Sequence, residues 1–266
     1  MNREQLREHL IASRIAGDVA TSRENNLTNY GRMSRRDPSY LFGLRPARTW
    51  TPAEVLALMA ERVGVHPDPA YAVGVDTIDA DKTLDRLDAM ADRLRLAAER
   101  RERVLVATGH PAGVFAIHQE VAAALARAGV TLLAPAAGWS FLNLAGHRRE
   151  IRHLAGVAMV SDRGELNHTH SPRPMEAMLA ELADRGEPPP DLVVADHGFA
   201  GAAGQAGTET VGFADCNDPA LFVGEAEGRV HVAVPLDDNV LPHLYAPVSA
   251  YLLSQAVLSQ PSQPSR

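Results

Sequence analysis

The chain holds a single cysteine, Cys216, and a single lysine, Lys82, in 266 residues. One cysteine excludes any disulfide within the chain, and it fits a reducing compartment. No apolar run approaches the roughly 20 residues that a membrane-spanning helix needs. The first residues, MNREQLREHLIASRIAGDV, are charged and lack the apolar segment of a secretory signal. These absences point to a cytoplasmic protein with no membrane partner. A basic excess is also missing: 26 Lys and Arg stand against 33 Asp and Glu, for a net charge of −7. That balance argues against a nucleic-acid binder, which normally shows a basic face. It leaves room for a small phosphorylated ligand, because a local arginine cluster can sit in an acidic protein. No internal repeat is visible.

Several familiar catalytic signatures are absent too. The Gly-rich stretch 198–207 lacks the Lys-Ser/Thr ending of a nucleotide-binding P-loop. Asp196-His197-Gly198 has an aspartate where acid phosphatases need an arginine. A cysteine phosphatase needs an arginine six positions after its cysteine, and position 222 is Phe222. No G-x-S-x-G nucleophile elbow occurs. Phosphate chemistry here needs a different constellation.

What is present is an ordinary globular composition, 45% apolar and 22% charged. Residues 1–100 read as a helical region. Leu6, Leu10 and Ile11 form one stripe. Thr51-Pro52 starts a helix with its stripe at Val55, Leu58, Met59 and Val63. Asp79 caps another, carrying Leu84, Leu87, Met90 and Leu94. The segment from Gly17 to Leu44 reads as a long polar loop, and long loops in compact domains are often functional. From Arg103 the pattern becomes β-α-β: RVLVATG, then VFAIHQEVAAALARAG, then VTLLAP. GVAMVS, ELNHTH, DLVVAD, ETVGFAD, LFVGEA and RVHVAVP read as further strands, and PMEAMLAELADRG and PVSAYLLSQAVL as helices. The expectation is an α/β fold with a mixed, mostly parallel sheet flanked by helices. The N-terminal helical region would cover 1–100, the α/β core 101–258, and a low-complexity, disordered tail 259–266.

Chemistry-bearing residues fall where these strands end, and ligands of parallel sheets bind beyond the carboxyl ends of strands. Thr108, Gly109 and His110 follow one strand and precede a helix whose N-terminus favours an anion. His168 and His170 stand two residues apart, so on a strand both imidazoles face one side. Asp162 and Glu165 could orient them. Asp196 and His197 end the most apolar strand, and the glycines that follow could cradle an anion or form a flexible loop. Asp215 and Asp218 suit a hard cation completed by Asp237 and Asp238, although D-C-N-D-P is equally a turn sequence. His118 falls mid-helix and reads as a packed side chain. His147 and His153 read as solvated. In the polar loop, Arg14, Arg23 and Asn26 carry phosphate-binding chemistry. Asp76 to Asp79 reads as a helix cap.

At TGHPAG, LNHTHS, PDLVVADHGFAG and VGFADCNDPALF the chain resembles an actinobacterial family named simply as phosphatases. The resemblance extends to RIAGDVATSRENN and VDTID, so it spans about Arg14 to Tyr251. It implies a phosphomonoesterase and says nothing of the substrate, the metal or the nucleophile.

The resulting expectation is hydrolysis of a small phosphomonoester. His110, His168, His170, Asp196 and His197 would do the proton chemistry. Arg14, Arg23, Asn26, Thr108 and Gly109 would hold substrate. A divalent ion, Mg²⁺ or Mn²⁺ ahead of Zn²⁺, would sit on Asp215, Asp218, Asp237 and Asp238. The alternatives are a metal-dependent lyase or isomerase of sugar phosphates and a non-catalytic phosphate or nucleotide sensor. A homo-oligomer stays open.

Overall fold

Short runs of Val, Leu and Ala bounded by polar turns bury on both faces, and they build a mostly parallel sheet. A computed structural model describes residues 1–143 and 145–258. The tail expected to be disordered, 259–266, lies outside the described residues.

The order is α1 (Arg3–Ala12), β1 (Gly17–Ser22), α2 (Arg23–Ser34), α3 (Pro52–Arg62), β2 (Val75–Ile78), α4 (Ala80–Arg100), β3 (Arg103–Ala107) and α5 (Pro111–Arg127). There follow β4 (Thr131–Leu132), β5 (Ser140–Leu142), β6 (Arg148–Leu154), β7 (Val157–Asp162), β8 (Glu165–Asn167) and α6 (Arg173–Asp184). The last part is β9 (Leu192–Asp196), α7 (His197–Gln205), β10 (Thr210–Ala214), α8 (Pro219–Ala226), β11 (Val232–Pro235) and α9 (Ala246–Gln255).

The large sheet runs β11-β10-β9-β3-β7-β6-β5, with β4 beside β3 and β8 beside β7. The strands β11, β10, β9, β3, β4 and β7 pair in parallel, while β5, β6, β7 and β8 pair antiparallel. From β3 the chain moves one way to β4 and β7, and from β9 the other way to β10 and β11. The β3–β9 boundary is therefore the topological switch point, where open α/β sheets place their ligands. A separate pair, β1 with β2, is antiparallel.

Three expectations change. The polar segment after Gly17 is no loop but β1 and α2, the helix capped by the Ser22 side chain. Its polar composition hid it, because much of its inward face is Arg23, Asn26 and Asn29 and only Tyr30 and Met33 are apolar. LFVGEA lies inside α8, with Pro219 at its start and all of Leu221, Phe222 and Val223 buried. A short apolar run buried on all sides has no period to separate strand from helix. The glycine-rich stretch after Asp196 is likewise neither cradle nor flexible loop. It is the buried helix α7, whose small residues let other chain segments lie against it.

The N-terminal helices pack directly onto the sheet. Thr83 on α4 donates to Pro235 O at 2.8 Å, and Asp237 N donates to Ile15 O at 2.9 Å. Leu6, Leu84, Leu105, Val194 and Leu252 belong to one apolar cluster.

Candidate active site

Five chain segments meet at the carboxyl ends of the central strands. They are Thr108–His110 after β3, His168–His170 after β8, Asp196-His197 at the β9–α7 junction, Asp215–Asp218 after β10, and Asp237-Asp238 after β11. Their side chains, with α2 opposite, enclose a hollow of about 600 Å³.

Close packing of glycines brings the segments together. A Cβ on Gly198 would overlap the carbonyls of His170 and Ser171, and one on Gly113 would overlap the Asp238 carbonyl. Thr169 N also donates to Gly109 O at 2.8 Å. His168 and His170 thus lie just beyond the end of β8, in a strap fastened to the β3 turn and α7. Their rings still meet, with centroids 4.9 Å apart. Asp162 and Glu165 lie elsewhere, near Arg149 and on an exposed strand.

Asp196 is a buried hub. Its Oδ2 accepts from Thr108 Oγ1 at 2.6 Å, and its Oδ1 accepts from Gly109 N at 2.6 Å and from His197 Nδ1 at 2.9 Å. Thr108 and Gly109 therefore spend their donors on Asp196, and they position it. Burial opposes the Asp196 charge, but the His197 hydrogen bond and charge outweigh it and hold the carboxyl far below its usual range. His118, on α5, packs behind the hub: Nδ1 lies 2.9 Å from Val114 O and Nε2 3.6 Å from Asp196 Oδ2.

His197 sits at the centre. Its φ of +45° is unusual for a side-chain-bearing residue, and such strain concentrates at functional sites. Its Nε2 lies 3.3 Å from Asp218 Oδ2, 3.6 Å from Asp238 Oδ2 and 3.3 Å from His168 Nε2. Burial works against an imidazolium here, yet Asp218 and Asp196 push the His197 pKa well up. His168 is opposite in character. It reaches the surface on one side, while enclosure of the remaining ring and the charges of His197, His110 and His170 pull its pKa down to about 3. His110 stacks on His168 at 4.4 Å, and its Nδ1 is 3.1 Å from Asp238 Oδ1. The His170 Nδ1 lies 2.9 Å from Ser39 O.

Carboxylates crowd the other side. Asp215, Asp237 and Asp238 bring oxygens within 4.8 Å of one another, and all three are buried. Thr21 Oγ1 donates to Asp215 at 2.7 Å and Ala20 N to Asp237 at 3.2 Å. Asp238 Oδ2 is buried without a hydrogen-bond partner. Burial, with Asp238 and Asp237 adding repulsion, pushes the Asp215 pKa well up. Such crowding is costly unless a positive centre relieves it. Two further groups have metal-ligand spacing: His110, His168 and His197, and His170, His197 and Asp218. Asp218 therefore groups with the imidazoles rather than with the other three carboxylates.

The N-terminal phosphate-binding candidates lie elsewhere. Arg14 is exposed and donates to the carbonyls of Asp18 and Val19 at 3.1 and 2.9 Å. Arg23 is fully buried, paired with Asp76 at 2.9 Å and bonded to Tyr71 O. Asn26 donates to the same Asp76 oxygen at 2.9 Å. Asp76 is thus a buried partner for α2, and only Asp79 caps a helix. Arg23 and Asn26 seat α2, and its other face lines the hollow with Asn25, Thr28, Asn29 and Arg32. Their i, i+3, i+4, i+7 spacing was the available signal, but a polar stripe reads as a solvated face unless the opposite wall is known.

A polar hollow at the switch point of an α/β sheet, ringed by imidazoles and carboxylates, defines a class: an α/β protein that gathers proton-transferring and metal-ligating types of side chain at the carboxyl ends of its strands. The Phosphatase family model matches residues 1–260, and the chain belongs to that family. It is 49% identical, over 97% of both chains, to "Phosphatase SCO2771" of Streptomyces coelicolor. Membership makes the protein a hydrolase of the phosphatase class. Among the described residues, no helix is long and apolar enough to cross a membrane.

Proposed function

We propose that the protein hydrolyses small phosphomonoesters in this hollow, with a divalent ion on the carboxylates and the imidazoles handling protons. The observation that carries the reading is the buried, unpartnered Asp238 Oδ2, set among Asp215, Asp237, His110 and His197. An orphaned carboxylate oxygen within a buried acidic cluster calls for a cation.

Asp215, Asp237 and Asp238 offer the all-oxygen donor set that suits Mg²⁺ or Mn²⁺. An ion held there supplies positive charge against the phosphoryl oxygens and makes water a competent nucleophile near neutral pH. The remaining roles belong to the chain. Asp196 holds His197 through Nδ1 and keeps its Nε2 turned into the hollow. His197 Nε2 carries a proton that Asp218 and Asp196 stabilise, and it is the acid for the departing oxygen. His168 is neutral and accepts a hydrogen bond from the attacking water, whose proton passes on to solvent at the exposed side of the ring. The water oxygen bonds to phosphorus, the ester P–O bond breaks, and the alcohol leaves with the His197 proton.

A second ion at His170, His197 and Asp218 is the rival arrangement. It is favoured by one observation: both histidines turn Nδ1 to a fixed acceptor, Ser39 O and Asp196. This leaves Nε2 free to ligate, as second-shell partners do in metal sites.

The test is phosphate release from a panel of small monoesters, with and without EDTA and then with Mg²⁺, Mn²⁺ or Zn²⁺ restored. Loss with EDTA and recovery with metal is the expected result. Activity indifferent to chelator would sink the metal-assisted scheme. The metal content of His170→Ala separates the arrangements: a carboxylate-only site keeps its ion, and an imidazole site loses one. His197→Ala tells enzyme from sensor, since only an enzyme has turnover to lose.

A further inference from the structure

The geometry points to Arg32 as the receptor for a second negative charge on the substrate, carried by a small hydroxylated leaving group. The inference rests on the phosphomonoesterase reading and adds the class of substrate to it.

Among the described residues that line the hollow, Arg32 is the one permanent cation. The hollow is rich in carboxylates, yet Arg32 pairs with none of them among the described residues. Its guanidinium instead donates to the Tyr40 hydroxyl and lies 4.9 Å from the centre of the Tyr40 ring. A cation–π contact braces an arginine without neutralising it. A half-buried guanidinium held in this way, with most of its N–H donors unspent, is fitted to an external anion.

Its place in the hollow decides which anion. Tyr40 meets His170 edge to face, with centroids 5.8 Å apart, and His170 belongs to the group that includes His197 and Asp218. An aromatic ring therefore stands between Arg32 and the imidazoles. Arg32 thus meets the cluster through Tyr40 and makes no hydrogen bond or ion pair with it among the described residues. It is well placed for a charge a few bonds away along the leaving group. The same wall of the hollow, α2, also presents Asn25, Thr28 and Asn29. Such polar side chains match the hydroxyl groups of a small leaving group. The helix is rigidly seated: Tyr30 Oη donates to Cys216 O at 2.7 Å, and Asn29 Nδ2 to Asn217 O at 3.2 Å. The same turn carries Asp215 and Asp218, so the recognition wall and the reacting wall are joined.

The test compares 3-phosphoglycerate with glycerol 3-phosphate, which differ chiefly by one carboxylate, in the wild type, Arg32→Met and Arg32→Lys. The wild type is expected to favour 3-phosphoglycerate by at least tenfold in kcat/KM. Arg32→Met should abolish that preference, mainly through KM, and Arg32→Lys should keep part of it. Equal losses on both substrates would assign Arg32 to the transferred phosphoryl group and overturn the inference. So would a wild type without preference, or one that turns over other monoesters and neither of these. If no monoester releases phosphate, the phosphatase reading itself fails, and the inference fails with it.

Discussion

Both oxygens of Asp196 are committed, one to Thr108 and the other to Gly109 and His197, so this carboxylate acts through its neighbours. Asp196→Asn keeps the shape but puts an amide NH₂ against one or more of those donors. The His197 ring would lose its tether and its tautomer. Activity should fall by about 10- to 100-fold, the usual effect of losing such a supporting partner. Steady-state kinetics should place the loss in kcat more than in KM, since no substrate contact is removed. Asp238 is the opposite case. Its Oδ2 has no partner, and Asp215 and Asp237 lie close beside it. In EDTA-treated protein, Asp238→Asn removes a buried repulsion and should raise Tm by about 2–4 °C, which corresponds to roughly 1 kcal/mol in a chain of this size. With Mg²⁺ or Mn²⁺ added, the order should reverse, because the wild type gains binding free energy that the variant has lost. Calorimetric scans with and without metal would show the crossing, and parallel curves would remove the ion from these carboxylates.

Elements carry the site through their junctions. The strap from His168 to Ser171 lies on α7 because Gly198 has no side chain there. Gly198→Ala would force the strap outward and separate His168 and His170 from His197. Far-UV circular dichroism should stay close to wild type while kcat falls more than tenfold. An unchanged kcat would mean that the strap does not set the site. The strand ends were legible in the sequence: β3, β9, β10 and β11 each run apolar and then give way within three residues to a titratable one. Hence Thr108, His110, Asp196, His197, Asp215, Asp237 and Asp238 could all be read from local pattern. The role of α2 could not. Its inward face is polar because it meets Asp76 and the Cys216 turn, partners that are distant in sequence. Arg23 therefore looks like a phosphate ligand on paper and is a buried ion pair in the fold, whereas Arg32 carries no motif at all. Likewise α8 lacks a polar face, so no periodicity marks it as a helix.

At the scale of the whole molecule, the hollow is shared between the N-terminal hundred residues and the sheet. Thr21 bonds Asp215, Ala20 N bonds Asp237, and Tyr40 and α2 form the outer wall. The same contacts bond the two regions: α4 reaches β11 through Thr83, and Ile15 O takes the amide of Asp237. Loosening the N-terminal region therefore strips Asp215 and Asp237 of donors and exposes the apolar cluster that Leu6 and Leu84 share with Leu105 and Leu252. Neither region can come away without undoing the core of the other. Urea unfolding should accordingly be a single transition, and the midpoint for loss of phosphate release should coincide with that for loss of helical signal, as two-state behaviour requires. An activity midpoint well below the structural one would mean that the N-terminal wall detaches first as a separate unit. The hollow would then be an interface between two bodies, and its geometry would depend on how firmly they dock.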